Sequence, residues 1–210
     1  MTARFFKHGV NLRTKWDVAV AEYELFGESK FALDPYYLLQ AISMKVNDPP
    51  TCKRKDILNL TFEQLESNWN DVCEGMNRGL ELLRDDCRIV NRRWLPTPSM
   101  LGPLAALMSI DKPRDVIEWG QRKRFVKRWI WCAIFGQRYE AAANTRAEKD
   151  VSEMIRWMRG GDVPSMIDSF DVESVPLREA STSSAPVYKG VICLTLLNGA
   201  RDFAHHGPIT

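Results

Sequence analysis

The chain has 210 residues, which is enough for a substantial hydrophobic core, and its 45% hydrophobic and 27% charged residues are typical of a globular protein. The formal net charge is only +2, which excludes a strongly basic protein, so any contact with nucleic acid must come from local clustering of cations. The five cysteines are scattered without a Cys-x-x-Cys pair, which favours reduced cytosolic thiols. Apolar runs are too short to cross a bilayer and the N-terminus lacks signal-peptide features, so we expect a soluble cytoplasmic protein without membrane contact.

Helical periodicity dominates the first half of the chain, whereas residues 1–13 lack it and are predicted to be irregular. Three helices are predicted, at 14–26, 35–45 and 62–84. Thr14 is the expected N-cap of the first helix, and a Thr-x-x-Gln capping box precedes the third. Gly75 and Gly79 within the third helix either interrupt it or allow another helix to cross closely.

The second half of the chain continues in the same pattern. Helices are predicted at 100–109, 112–135, 147–159, 163–170 and 187–197. Ser99 is the expected N-cap of the apolar helix at 100–109, which carries little charge and is placed near the core centre. Residues 171–186 are predicted to be a flexible connection, and residues 198–210 have no clear period. Because no strand alternation appears, the predicted fold class is all-α: an orthogonal bundle of about seven or eight helices in a single domain over residues 1–210.

The helix from Lys112 to Phe135 has the most informative surface. Its apolar side collects Phe125, Val126, Trp129, Ile130, Cys132 and Ala133. Its other side collects the cations Lys123, Arg124, Lys127 and Arg128, with Trp131 among them. Such a cationic face can neutralise phosphates, and an aromatic side chain beside it can stack on an unpaired base. The alternative is a solvated face whose cations pair with acidic residues of neighbouring helices.

Other motifs point to chemistry less directly. The Arg-Arg-Trp run at 92–94 is either a phosphate contact or a loop anchored by its Trp. His205 and His206 beside Asp202 contain metal-ligand types, but adjacent histidines in an extended tail rarely converge on one metal. No nucleophile elbow, P-loop or dinucleotide-binding motif is present, and we expect no catalytic residue, metal or cofactor.

Four segments in order along the chain have a familiar pattern. They are GVNLRTKWDVAVAE, RRWLPTPSMLGPLAAL, IFGQRYEAAANTRAEKDV and YKGVICLTLLNGARDF. Together they resemble the later part of the GmrSD-like family of type IV restriction proteins, over residues 9–210 of this chain. Members of that family typically carry an N-terminal ParB-like nuclease domain, a helical middle region and a C-terminal HNH nuclease domain.

The resemblance implies that this chain is the helical middle region alone. The D-G-Q-Q-R-like motif of the first domain and the D-H-H-I-F-P-like motif of the HNH domain are not in the sequence. The chain is therefore expected to be an excised piece or a truncated product, whose residues 198–210 lead toward an absent HNH domain. The positions that match the family are Arg138, Tyr139, Asn144, Thr145, Arg146, Asp150, Gly199, Arg201 and Asp202. Among these, Arg201 and Asp202 are a candidate buried ion pair that positions the next domain, and Tyr139 and Arg146 are candidate structural residues.

The function implied by the resemblance is that of a non-catalytic helical region in a DNA-targeting restriction or phage-defence endonuclease. It would link the nuclease domains and contact DNA phosphates. The residues expected to make that contact are Arg122, Lys123, Arg124, Lys127, Arg128 and Trp131. One alternative is a protein-interaction scaffold with no nucleic-acid affinity, and another is a metal-dependent nuclease that uses Asp202, His205 and His206. The expected partners are DNA and the nuclease domains of the parent protein.

Overall fold

The structure is a computed structural model that describes residues 11–178 and 180–201. The α-helices in these ranges are α1 (Leu12–Glu22), α2 (Tyr36–Val46), α3 (Arg54–Asn59), α4 (Phe62–Glu81), α5 (Leu101–Ser109), α6 (Val116–Phe135), α7 (Ala143–Met158), α8 (Ser165–Asp168) and α9 (Pro186–Leu197). No β-strand forms in the described residues, so the predicted all-α fold is confirmed, with nine helices rather than seven or eight. No helix among them is long and apolar enough to cross a membrane.

The helix boundaries follow the local sequence with a few shifts. Asn11, and not Thr14, caps α1, because its side chain accepts the backbone N–H groups of Arg13 and Thr14. Leu12 and Arg13, predicted to be irregular, are therefore helical. Ser99 does not cap α5, which instead continues from the 3-10 turn Pro98–Met100. In α7 the helix begins at Ala143, four residues before the predicted start.

The centre of the bundle is the crossing of α4 and α5. All nine residues of α5 are buried, as its low charge predicted. Gly75 and Gly79 do not break α4, which runs unbroken to Glu81 before a π-helical turn at Leu82–Asp86. A Cβ atom added at Gly75 would lie 2.8 Å from the Ser109 Cβ, and one added at Gly79 would lie 2.8 Å from the Leu104 Cγ. The two glycines therefore allow α5 to approach α4 more closely than any other residue would.

The predicted basic helix corresponds to α6. Asp115 is its N-cap rather than part of its first turn, and it accepts the backbone N–H groups of Ile117 and Glu118 at 2.9 Å. The helix ends at Phe135 and Gly136, as predicted. Its C-terminal half packs against α9, where a Cβ added at Gly190 would lie 2.7 Å from the Ile134 Cγ2. Buried apolar side chains from every one of the nine helices form one continuous core.

Two predicted connecting regions lie at the edges of this bundle. The described residues between 171 and 186 are mostly exposed and include one 3-10 turn at Val172–Ser174. Residues 1–10 and 202–210, which include most of the predicted irregular N-terminus and most of the predicted tail, lie outside the described residues.

Candidate nucleic-acid interface

The four cations predicted to share one side of α6 do lie at its surface. Arg124 and Arg128 are exposed, Lys123 is exposed, and Lys127 is half-buried. Within the described ranges, Arg124 and Arg128 have no ion-pair partner. Arg128 instead places its guanidinium over the Trp157 ring of α7, with 5.9 Å between Cζ and the ring centroid. We refer to Lys123, Arg124, Lys127 and Arg128 as the cationic face.

One carboxylate from another element reaches the cationic face. Asp86, at the end of the π-helical turn that follows α4, lies 3.1 Å from the Lys127 Nζ and 3.7 Å from the Lys123 Nζ. Its neighbour Asp85 is paired instead with Arg84 at 2.6 Å, and this hydrogen bond lowers the pKa of the Asp85 carboxyl. The pairing with neighbouring acidic residues that the sequence left open therefore holds for the two lysines and not for the two arginines.

The role of Asp86 was missed from the sequence. Asp85 and Asp86 are adjacent carboxylates in the sequence, and no neighbouring motif indicates a partner for either of them. About 40 residues separate Asp86 from Lys127, so no local pattern links them. Only the packing of the π-helical turn beside α6 brings the charges together.

Arg122 was expected among the phosphate-binding cations, and that expectation is wrong. Its side chain is buried, with the residue 8% exposed, on the side of α6 that faces the core. Its guanidinium donates hydrogen bonds to the carbonyl oxygens of Leu107, at 3.2 Å, and of Ile110 and Asp111. Burial lowers the pKa of Arg122. Arg122 thus satisfies the carbonyl groups at the C-terminal end of α5 and is not available to an external phosphate.

Trp131, the predicted stacking residue, is half-buried near the C-terminal end of α6. Its ring stacks on that of Phe135, with centroids 6.0 Å apart and planes inclined by 22°. Part of its surface is thus occupied by an intramolecular contact. It lies on the same side of the helix as Arg124 and Arg128, where the sequence placed it.

The family-motif positions around the turn from α6 to α7 form a buried polar network. Asp150 of α7 is fully buried and accepts hydrogen bonds from Arg138, at 2.7 Å from Nη2, and from the Tyr139 hydroxyl, at 2.8 Å. The hydrogen bond to Asp150 raises the pKa of Arg138, and burial raises the pKa of Tyr139 well above its ordinary value. Arg146 donates to the Arg138 carbonyl oxygen at 2.7 Å. These contacts are internal, so the structural role expected for Tyr139 and Arg146 matches their geometry.

The remaining family-motif positions that the structure describes do not share one site. Asn144 accepts a hydrogen bond from the Gln40 side chain at 3.2 Å, and Thr145 is exposed. Gly199 follows α9 with a φ of +81°, a left-handed conformation that favours glycine. Arg201 is exposed, and its expected ion-pair partner Asp202 lies outside the described residues, so the ion pair stays a prediction.

The other sequence motifs add no site to the described part of the chain. In the Arg-Arg-Trp run, Arg92 donates to the Ala32 carbonyl oxygen at 3.3 Å, and Trp94 packs against the core. Residues 11–178 and 180–201 contain no group of three His, Cys, Asp or Glu side chains that could hold a metal ion. His205 and His206 lie outside these ranges.

Comparison with known proteins gives little further information. No family model matches the chain, and no solved structure matches it. The chain is similar to an uncharacterized protein of Methanocaldococcus jannaschii, with 25% identity over 218 aligned residues that cover 97% of this chain. The match covers 36% of that protein, so the chain spans about a third of the length of the curated relative that it matches.

Proposed function

We propose that this chain is a non-catalytic helical region of a DNA-targeting restriction or defence endonuclease, and that α6 contacts DNA phosphates. The restriction role rests on the four ordered segments that resemble the GmrSD-like family. The phosphate contact rests on one observation: four cations share the surface of one helix, and among the described residues a single carboxylate, that of Asp86, pairs with any of them.

The physical basis of the phosphate contact is counterion release. DNA concentrates cations along its backbone, and a protein that neutralises phosphates releases them, so binding weakens as salt is added. Neither Arg124 nor Arg128 has to give up an ion pair with a described residue before its guanidinium group binds a phosphate. Lys123 and Lys127 would exchange a shared contact with Asp86 for phosphate contacts. With four phosphates neutralised, log K should fall with log salt with a slope of about −3 to −4.

A protein-interaction scaffold is the second candidate function, and the surface of α9 favours it. Val191 and Leu197 of this apolar helix are 38% and 40% exposed. The described residues bury only Val187, Gly190 and Cys193 of α9. Exposed apolar surface on the outer side of a helix is typical of a place where another domain docks.

Fluorescence-anisotropy titration of a labelled DNA duplex separates the two functions. The titrations would be run at low and at near-physiological salt with the wild type and with the Lys123/Arg124/Lys127/Arg128→Ala variant. A matched control removes four exposed cations elsewhere: Lys53/Arg54/Lys55/Arg93→Ala. Circular dichroism verifies that each variant is folded.

We expect wild-type binding that falls steeply with salt, loss of binding in the α6 variant, and retention of most binding in the control. Equal losses in both variants would mean that overall charge alone attracts DNA, and the assigned interface would be wrong. An absence of wild-type binding even at low salt would leave the scaffold function.

A further inference from the structure

The N-terminal end of α6 carries the two most exposed large apolar side chains of the described residues. Val116 is 85% exposed and Ile117 is 72% exposed. Both follow directly after the N-cap Asp115, in the first turn of the helix that bears the cationic face. We refer to Val116 and Ile117 as the apolar pair. Neither side chain contributes to the hydrophobic core of the described residues, so packing within that part of the chain gives no reason for apolar residues at these two positions.

Ile117 of the apolar pair is aligned with the arginines of the cationic face, whereas Val116 lies about 100° around the helix from it, in line with Lys123 and Lys127. At 100° per residue, Ile117 lies only about 20° around the helix from Arg124. Arg128 lies about 40° around the helix from Arg124, so Ile117 is between the two arginines in angle. At 1.5 Å per residue, Ile117 is about 10 Å from Arg124 and about 16 Å from Arg128 along the helix axis. One straight stripe of α6 thus presents an apolar side chain and then two guanidinium groups.

Gly120 lies beside this stripe, between Ile117 and Arg124 along the helix axis and about 40° around the helix from Arg124. A Cβ atom added there would have nothing within 4 Å, and its φ is not in the left-handed region. Neither packing nor backbone conformation within the described residues therefore requires glycine, although glycine destabilises a helix interior relative to alanine. Because Gly120 has no side chain, the backbone of a binding partner can approach the helix closely beside the stripe.

The charge of the stripe indicates which partner it fits. Its cations select a polyanion, and the acidic residues at this end of α6 do not oppose one. Asp115 lies on the opposite side of the helix and is engaged in capping, and Glu118 is paired with Arg114. An apolar side chain next to phosphate-binding cations is the arrangement with which proteins enter a DNA minor groove and partly unstack a base step.

We infer that Val116 and Ile117 insert into the minor groove of a DNA duplex while Arg124 and Arg128 hold the neighbouring backbone, so that the bound duplex is bent. This inference rests on the proposed phosphate contact and names its ligand as duplex DNA that can be kinked. Pyrimidine–purine steps such as TA unstack easily, whereas A-tracts are stiff. The protein should therefore prefer a duplex with a central TA step over one with a central A-tract.

Resonance energy transfer across an end-labelled duplex of about 24 base pairs tests the inference, because a bend brings the two labels closer. The duplexes carry either a central TA step or a central A-tract. The test variant is Val116→Ala/Ile117→Ala. The matched control is Val172→Ala/Leu177→Ala, which removes two apolar side chains that are 71% and 59% exposed on a different segment.

Wild type and control should raise the transfer efficiency of the TA duplex and bind it at least several-fold more tightly than the A-tract duplex. The test variant should bind with an unchanged salt slope, because the cations are intact, but without the rise in transfer efficiency and without the preference. Equal bending by the test variant and the wild type would overturn the inference while leaving the phosphate contact in place. No binding by the wild type would overturn both.

Sedimentation of the free proteins tests whether the apolar pair instead mediates self-association. If the wild type self-associates and Val116→Ala/Ile117→Ala does not, the pair is a contact between copies of the chain, and the groove insertion is wrong. We expect the two proteins to sediment identically.

Discussion

Asp150 is fully buried and is held by Arg138, whose Nη2 lies 2.7 Å from one carboxylate oxygen. The Tyr139 hydroxyl donates to the other oxygen at 2.8 Å. This network ties the turn after α6 to the middle of α7. The orientation of the exposed stripe of α6 relative to the rest of the bundle therefore depends partly on hydrogen bonds to a fully buried carboxylate.

Removing the cation from this network should destabilise the fold. Arg138→Met would leave the Asp150 carboxylate buried without its ionic partner, which should lower the free energy of unfolding by about 3–5 kcal/mol. Tyr139→Phe removes one hydrogen bond and should cost about 1–2 kcal/mol. Urea unfolding monitored by circular dichroism measures both changes. A loss below about 1 kcal/mol for Arg138→Met would mean that the buried ion pair does not stabilise this turn.

Two glycines on different helices should respond in opposite directions to the same substitution. Gly75→Ala would place a Cβ atom 2.8 Å from the Ser109 Cβ and 2.9 Å from the Ala105 carbonyl oxygen, so α4 and α5 would have to separate. We expect destabilisation by about 1–3 kcal/mol, the usual range for overpacking. Gly120→Ala meets nothing within 4 Å and should stabilise α6 by about 0.5–1 kcal/mol. Thermal unfolding of the two variants provides the comparison, and similar destabilisation in both would contradict the close crossing at Gly75.

Arg122 and Arg124 are two positions apart on α6 and should serve different purposes. Arg122→Met removes a buried donor to three carbonyl groups at the end of α5 and should destabilise the protein by about 2–4 kcal/mol. Arg124→Met changes an exposed side chain and should alter stability by no more than about 0.5 kcal/mol. Under the proposed function, only Arg124→Met should reduce the salt slope of DNA binding, by about 0.9. Urea unfolding and anisotropy on the same samples measure both effects. A stable Arg122→Met variant with a reduced salt slope would contradict the prediction.

Buried thiols should make the fold sensitive to alkali. Burial raises the pKa of Cys52, Cys73 and Cys87 from 9.0 to about 12. Because the unfolded chain releases these protons first, the associated stability is fully present below pH 9 and is lost as the pH rises toward 12. In that window each thiol lowers the free energy of unfolding by about 1.4 kcal/mol per pH unit.

Urea unfolding between pH 8 and pH 11 under reducing conditions measures this slope. The variant Cys73→Ala removes one of the three thiols, so its free energy of unfolding should fall less steeply above pH 9 than that of the wild type. Identical slopes would show that the Cys73 thiol ionises equally easily in the folded and unfolded states.

The helices themselves were largely predictable because their signals are local. Apolar spacing and the Thr61–Gln64 capping box each act within a few residues, and the predicted capping box and the predicted end of α6 at Phe135 are confirmed. The errors at helix starts also have a local cause. More than one polar side chain stood near the first turn of α1, and Asn11 rather than Thr14 took the capping position.

The sequence by itself determined the all-α class, the course of the helices and the fact that one helix combines an apolar side with a cationic one. The tertiary structure alone decided which cations of that helix are exposed and unpaired, and so able to contact an external phosphate. Packing of α6 against the end of α5 turned Arg122 inward to bond carbonyl groups, and the π-helical turn after α4 brought Asp86 to Lys123 and Lys127. Helical periodicity specifies the side of a helix on which a residue lies, whereas burial and charge pairing depend on partners that are distant along the chain.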